Sequence, residues 1–218
     1  MATSSTFATF DIQTLLEEAY ERAGLELKSG YDLRTGIRSF NFLMAEWANR
    51  GLNLWTIDEE TQALVAGTAT YTLTAATVDV LDVVLRNSSN TDVPLERLSE
   101  TQFAMIPNKT SRGTPNSYYI QRLVAGPTIT LWNVPNDSTQ SLVYWRLRRI
   151  EEAGAIYNTP DVPFRFIPAL AAGLAYHIAM KKNQSIAPPL KAVYEEEWMN
   201  AADEDRDRAS VYFFPDVT

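Results

Sequence analysis

Apolar residues at Ile12, Leu15, Leu16, Ala19 and Ala23 recur three and four positions apart, which predicts an amphipathic helix capped by Asp11 and stopped by Gly24. After a turn through Lys28-Ser29-Gly30 the same spacing returns at Leu33, Ile37, Phe40, Met44 and Trp47. Asp32 is the expected cap of this second helix and Gly51 its stop. So short a link makes the pair an antiparallel hairpin.

Beyond Asp58 the period changes to two, at Ala69–Leu73 and again at Asp79–Arg86, and these read as strands. Three more candidates follow at Tyr118–Arg122, Thr128–Trp132 and Leu142–Arg148, parted by turn signals at Gly126-Pro127 and Pro135-Asn136-Asp137. Ser99-Glu100-Thr101-Gln102 fits a capping box for one or two helical turns, and Pro107–Pro115 reads as a mobile polar loop carrying Lys109, Arg112 and Gly113. The middle third is thus expected to be a small antiparallel sheet.

Asp161 and Pro163 open a third long helix with its stripe at Ile167, Leu170, Leu174 and Ile178. Ala and Gly fill most of its other positions, so neighbouring backbones can approach closely and the helix should be surrounded. Pro188-Pro189 opens a fourth, with Leu190, Val193, Tyr194, Trp198 and Ala201 on one side. The simplest architecture is an α+β fold: residues 1–60 and 151–218 form a four-helix bundle from the two chain ends, and residues 61–150 form an inserted small antiparallel β domain.

With 218 residues, 45% of them hydrophobic and 21% charged, the chain has the balance of a globular protein with a sizeable core. It has no cysteine, which excludes disulfides and thiolate metal sites and suits a protein matured in a reducing cytosol. The opening Met1–Thr6 carries no positive charge and no long apolar run follows, so no secretory signal is expected. The longest apolar run, Ile167–Met180, falls short of the roughly 20 residues that cross a bilayer, so no membrane contact is expected.

Residues 1–60 carry 5 basic and 10 acidic side chains, residues 61–150 carry 8 and 6, and residues 151–218 carry 6 and 11. The ends are acidic and the middle slightly basic. A net charge of −8 argues against a protein that grips nucleic acid, where affinity comes mostly from neutralising phosphates, but not against a wall that DNA slides past.

A single histidine and no cysteine remove most catalytic templates. His177, near the end of the third helix and just before Lys181 and Lys182, reads as a side chain complementing that helix end. No dinucleotide fingerprint, phosphate loop or nucleophile elbow occurs, so no cofactor and no metal are expected. Paired carboxylates would suffice for a glycosidase, so residue types alone leave that class open. Yet Glu195-Glu196-Glu197 and the block Asp203–Arg208 lie on a helix, where Asp203 can meet Arg206 and Glu204 can meet Arg208, a solvated face. Arg146, Arg148 and Arg149 beside Trp145 offer a nucleic-acid surface, but their alternation with Trp145 and Leu147 is that of one half-exposed strand. The tail Val211-Tyr212-Phe213-Phe214-Pro215 has two readings, packing back on its own bundle or docking into another subunit.

One run stands out: Glu46-Trp47-Ala48-Asn49-Arg50-Gly51-Leu52-Asn53-Leu54-Trp55-Thr56-Ile57-Asp58, with two tryptophans flanking a glycine stop and no reactive group nearby. It resembles the hairpin end of head-to-tail adaptor, or connector, proteins of tailed phages, most like those of short-tailed phages. Similar pieces run along nearly the whole chain, among them Glu18–Gly24, Tyr31-Asp32, Gly67–Leu73, Ile106–Lys109, Leu142–Trp145, Pro163–Tyr176 and Glu204–Ser210, in the family's order. One departure is Thr74-Ala75-Ala76-Thr77, where the family pattern has Pro and an acid.

The resemblance implies a non-enzymatic virion protein at the portal vertex of the tail. It further implies a homo-oligomeric ring of twelve copies between portal protein and tail nozzle, extending a channel through which double-stranded DNA passes without specific binding. On that reading Asp203, Glu204, Asp205 and Asp207 are the expected channel-facing acids, and Asn108, Lys109 and Arg112 the expected nozzle-side loop. Tyr212, Phe213, Phe214 and Pro215 are the expected contact with the portal or a neighbouring copy. The rival readings are a virion-associated peptidoglycan hydrolase, for which no carboxylate pair here matches a motif, and a nucleic-acid module using Arg146, Arg148 and Arg149.

Overall fold

The structure, a computed structural model, describes residues 10–51 and 54–205. Five α-helices occur among the described residues: α1 (Ile12–Arg22), α2 (Gly30–Asn49), α3 (Glu100–Met105), α4 (Ile167–Lys182) and α5 (Ala187–Glu204). Ten strands accompany them: β1 (Ile57–Ala63), β2 (Thr70–Thr72), β3 (Thr77–Arg86), β4 (Asp92–Pro94), β5 (Glu96–Leu98), β6 (Arg112–Gly113), β7 (Ser117–Gln121), β8 (Thr128–Trp132), β9 (Val134–Pro135) and β10 (Ser141–Arg148). The chain divides into two compact units, one made of the chain up to Trp55 and from Ile150 onward, the other of Thr56–Arg149.

In the first unit Asp11 caps α1, its side chain accepting from the Thr14 N–H at 2.7 Å, and Gly24 follows at φ +65°. The cap of α2 is Ser29, not Asp32. Ser29 Oγ accepts from the Asp32 N–H at 3.2 Å while the Asp32 carboxylate accepts from the Ser29 N–H at 3.1 Å, a closed capping box that starts the helix earlier than the apolar stripe suggested. Helix α4 follows a single 3-10 turn at Phe164–Phe166 and buries Ala169–Ala175, Ile178 and Ala179. A helix apolar on every side must be covered on every side. Helices α1, α2 and α5 all pack on it, and its small residues let them come close.

The second unit holds two four-stranded sheets. One has the order β1-β10-β3-β4 and is antiparallel throughout, with a register shift between Trp145 and Arg146 against β3. The other has the order β2-β8-β7-β5, in which β5 runs parallel to β7. Val83, Leu85, Leu142 and Tyr144 of the first and Tyr71, Tyr118, Ile129 and Leu131 of the second are buried in one apolar cluster. Strands β6 and β9 form a separate parallel pair. Where the sequence lacks Pro and an acid, a turn still closes, the Thr77 N–H bonding the Thr74 carbonyl at 2.8 Å.

These findings correct the expected fold class, an α+β four-helix bundle with a small antiparallel β insertion. Among the described residues there are five helices and ten strands in three sheets, and two strand pairings are parallel. Five strands had not been anticipated. Four of those are two or three residues long, too short to show a period, and β1 is the polar run Ile57-Asp58-Glu59-Glu60-Thr61-Gln62-Ala63, whose pairing with β10 rests on backbone bonds and charge. The loop expected at Pro107–Pro115 likewise contains β6.

Candidate functional site

Glu46, Trp47, Arg50 and Trp55 take part in a connected side-chain cluster of the first unit. Trp47 is fully buried, its ring 4.6 Å from that of Trp198 and 5.8 Å from that of Phe166, and Trp55 reaches the same Phe166 at 4.6 Å. The Trp47 indole N–H donates to the Tyr194 hydroxyl at 2.8 Å, and that hydroxyl donates to Glu46 Oε1 at 2.9 Å. Arg50, one helical turn on, donates to Glu46 at 2.6 Å and to both oxygens of Glu195 at 2.8 Å, while its guanidinium lies over the rings of Tyr194 and Trp198. His177 Nε2 lies 3.0 Å from the other oxygen of Glu46. The histidine therefore faces a carboxylate of α2, where complementing its own helix end had been expected.

Electrostatics follow from this geometry. Burial pushes the Glu46 carboxyl up, yet the hydrogen bonds from Arg50, Tyr194 and His177 hold it below the ordinary carboxylate value. The hydrogen bond from Arg50 lowers Glu195 as well, and burial raises the Tyr194 phenol. The side chains of Glu46, Trp47, Arg50, His177, Tyr194 and Glu195 link the end of α2 to α4 and α5, and the cluster serves as a joint.

The expected channel acids separate on inspection. Asp203 and Glu204 are exposed at the end of α5. Asp205 is half-buried, accepts from the Leu54 N–H at 3.3 Å and lies 3.8 Å from Arg165, which places it among the structural contacts. Arg165 also donates to the Glu204 carbonyl at 2.7 Å, securing the last turn of α5. Asp207 and the aromatic tail Tyr212, Phe213, Phe214 and Pro215 lie outside the described residues.

Asn108, Lys109 and Arg112 are exposed in the second unit. Lys109 Nζ turns back to the carbonyls of Ala104 and Ile106 at 3.1 Å each and sits 5.5 Å from the Phe103 ring centre, and Phe103 stacks on Tyr119. Asn108 caps its own turn through Thr110, and its carbonyl accepts from the Trp132 indole. Arg112 pairs with Val134 within the β6–β9 ladder. These contacts anchor the loop around one exposed basic edge.

The arginines of β10 are committed elsewhere. Arg146 is buried and donates to Glu60 at 2.9 Å and to Asp58 at 3.4 Å, and Arg148 reaches Asp58 at 3.1 Å. The acids of β1, a strand without an apolar signal, neutralise the basic face that had offered a nucleic-acid surface. A groove between α1 and the start of α4 was also missed, because neither helix pattern alone reveals what its neighbour leaves uncovered. Among the described residues there is no group of acids and histidine suited to a metal ion, and no helix is long and apolar enough to cross a membrane.

A family model described as SU10 adaptor protein matches residues 6–216. The chain belongs to the SU10 adaptor protein family. No curated protein matches it. The resemblance read from the sequence, to phage head-to-tail adaptors, agrees with this match. The adaptor is accordingly a structural protein of a phage, a virion component of the head-tail connector class. Membership implies contacts with portal and tail proteins.

Proposed function

We propose that the adaptor assembles as a closed ring of twelve copies between portal and tail nozzle and extends the DNA channel. The observation that carries this reading is the span of the family match, which covers both compact units from residue 6 to residue 216 and so assigns the adaptor role to the whole chain. A scaffold of this kind acts through shape and repeated contact. Each weak side-to-side contact becomes strong when a ring closes, because every subunit is held by two neighbours as well as by the proteins above and below.

On this reading the exposed Asp203 and Glu204, with Asp207, face the bore and repel the passing phosphates, an effect that weakens with salt. The basic edge at Lys109 and Arg112 faces the nozzle, and the aromatic tail supplies a contact to portal or neighbour in the assembled state. Electron microscopy of the purified adaptor mixed with portal tests the assembly. Stacked rings with twelvefold symmetry are expected; portal rings that remain bare under saturating adaptor overturn the proposal.

A further inference from the structure

The groove between α1 and the start of α4 encloses about 520 Å³, within the range of sites that hold compact apolar ligands. Its lining includes Leu15, Ile167, Pro168 and Ala171, with Phe164 left 71% exposed beside them. The α1 side carries Glu17, Glu18 and Glu21, all exposed, against a single Arg22 that pairs with Glu18. An apolar surface with an acidic border calls for an occupant that is aromatic and basic.

Such a segment follows α5 in the sequence. Helix α5 stops at Glu204, whose carbonyl is held by Arg165, the residue next to Phe164, so the chain leaves the unit beside the groove. Thirteen residues follow Asp205, with Arg206 and Arg208 ahead of Tyr212-Phe213-Phe214. Seven steps from Asp205 to Tyr212 reach at most about 25 Å, more than the roughly 16 Å length of an eleven-residue helix such as α1. So short a tether holds the segment at an effective concentration of about millimolar, which favours its own groove over that of a second free chain. The amino-terminal residues, which lead into Phe10 at the same groove, are a poorer match: before Phe10 they offer Met1 and Phe7 as large apolar side chains and no basic side chain.

We propose that in the unassembled adaptor the aromatic segment Tyr212–Phe214 of each chain docks into the α1–α4 groove of that same chain, with Arg206 and Arg208 set toward Glu17, Glu18 and Glu21. The docked segment covers Phe164 and the apolar floor until assembly offers it another partner. This docking is independent of ring formation.

The absence of cysteine makes the test clean. Two double variants of the full chain, Thr14→Cys with Pro215→Cys and Val193→Cys with Pro215→Cys, are oxidised at low protein concentration. Thr14 lines the groove, whereas Val193 is exposed on α5 at a distance the same tether can span. The groove pair is expected to close within one chain at least tenfold faster than the Val193 pair. Replacing Tyr212, Phe213 and Phe214 with Ser should bring the two rates together. Equal rates in the parent pair, or a groove pair that closes only between chains, overturn the proposal, and since no portal is present either result leaves the ring reading to its own test.

Discussion

Arg50, which caps the C-terminal end of α2, and Glu195 of α5 form a two-pronged ion pair, 2.8 Å on each arm, across 145 residues of sequence. The first unit is assembled from segments at opposite ends of the chain, and this pair, with Trp47 and Tyr194 beneath it, is where the two ends are fastened. Arg50 also holds Glu46, so its removal leaves two carboxylates without their main partner. The guanidinium side chain is 21% exposed, which places the loss between the small value of a surface pair and the larger one of a buried pair. Arg50→Met is expected to destabilise the unit by about 1–3 kcal/mol, measured by urea denaturation followed by circular dichroism. Arg50→Lys should recover little, since a lysine cannot bridge Glu46 and both oxygens of Glu195.

Gly173 and Gly36 both admit close helix packing, and they separate two kinds of tightness. A Cβ at Gly173 would lie 2.9 Å from Cε2 of Tyr194 and 3.0 Å from Leu43, whereas one at Gly36 would lie 2.8 Å from the tip of Leu16. The Tyr194 ring is buried and its hydroxyl is fixed by Trp47 and Glu46, so it has no room to yield. The Leu16 tip is the far end of a flexible side chain. Gly173→Ala should therefore cost about 1–3 kcal/mol despite its better helix propensity. Gly36→Ala should be near neutral, the roughly 1 kcal/mol of propensity offsetting a modest shift of Leu16. Thermal unfolding of the two single variants distinguishes them, and equal losses would contradict the assignment of rigidity to Tyr194.

Acid should loosen the same joint. Burial raises Glu46, but Arg50, Tyr194 and His177 bring it below 4.5; Arg50 lowers Glu195 from the same value; and Lys182 with Ser29 lowers Asp32 from 3.8 to about 2. For carboxylates whose folded value is depressed, the stabilisation is complete above the unfolded value and is lost as pH falls through the folded one. Stability should be level above pH 4.5 with respect to these groups and decline below it, with Asp32 contributing down to about pH 2. In Arg50→Met the decline is expected to be shallower, because Glu46 and Glu195 then have less to lose. Melting temperature recorded for both proteins from about pH 6 to about pH 3, across the ordinary carboxylate range, checks the slope and its dependence on Arg50.

The long helices were legible because each carries a stripe or a surrounding apolar face, with a chemical start or stop such as Asp11 and Gly24 around α1 and prolines at α4 and α5, whereas α3, which buries no side chain, was legible from its capping box of Ser99 and Gln102 alone. Strands β3, β7, β8 and β10 were legible from alternation or apolar runs. Strand β1 was not, since its value to the fold is the charge that Asp58 and Glu60 set against Arg146 and Arg148, a relation visible only once β10 lies beside it. The parallel pairings of β5 and β6 left no trace because two or three residues carry no period. Of the candidate site residues, Asp203 and Glu204 are exposed as a solvated helix face requires, whereas Asp205 belongs to packing: its bond to the Leu54 N–H joins positions 151 residues apart.

That difference decides how the channel reading should be tested. Reversing all the acids of the α5 end would include Asp205, whose carboxylate holds Leu54 and lies near Arg165, and any defect could then come from a loosened subunit. The informative variant is Asp203→Lys with Glu204→Lys, which alters two exposed positions of the last helical turn and spares that bond. If these side chains face the bore, a ring carrying the reversal turns a repulsive wall into one that attracts phosphates, and each new contact releases counterions, making the attraction steeply dependent on salt. Genome release from phage bearing the double variant should be slower than from the parent at low ionic strength, and the two rates should converge as salt is raised above the roughly 0.15 M at which the screening length is about 8 Å. Asp205→Asn, in contrast, should lower the melting temperature of the free subunit without a salt-dependent effect on release. Release rates that match the parent at low salt would place Asp203 and Glu204 away from the DNA path.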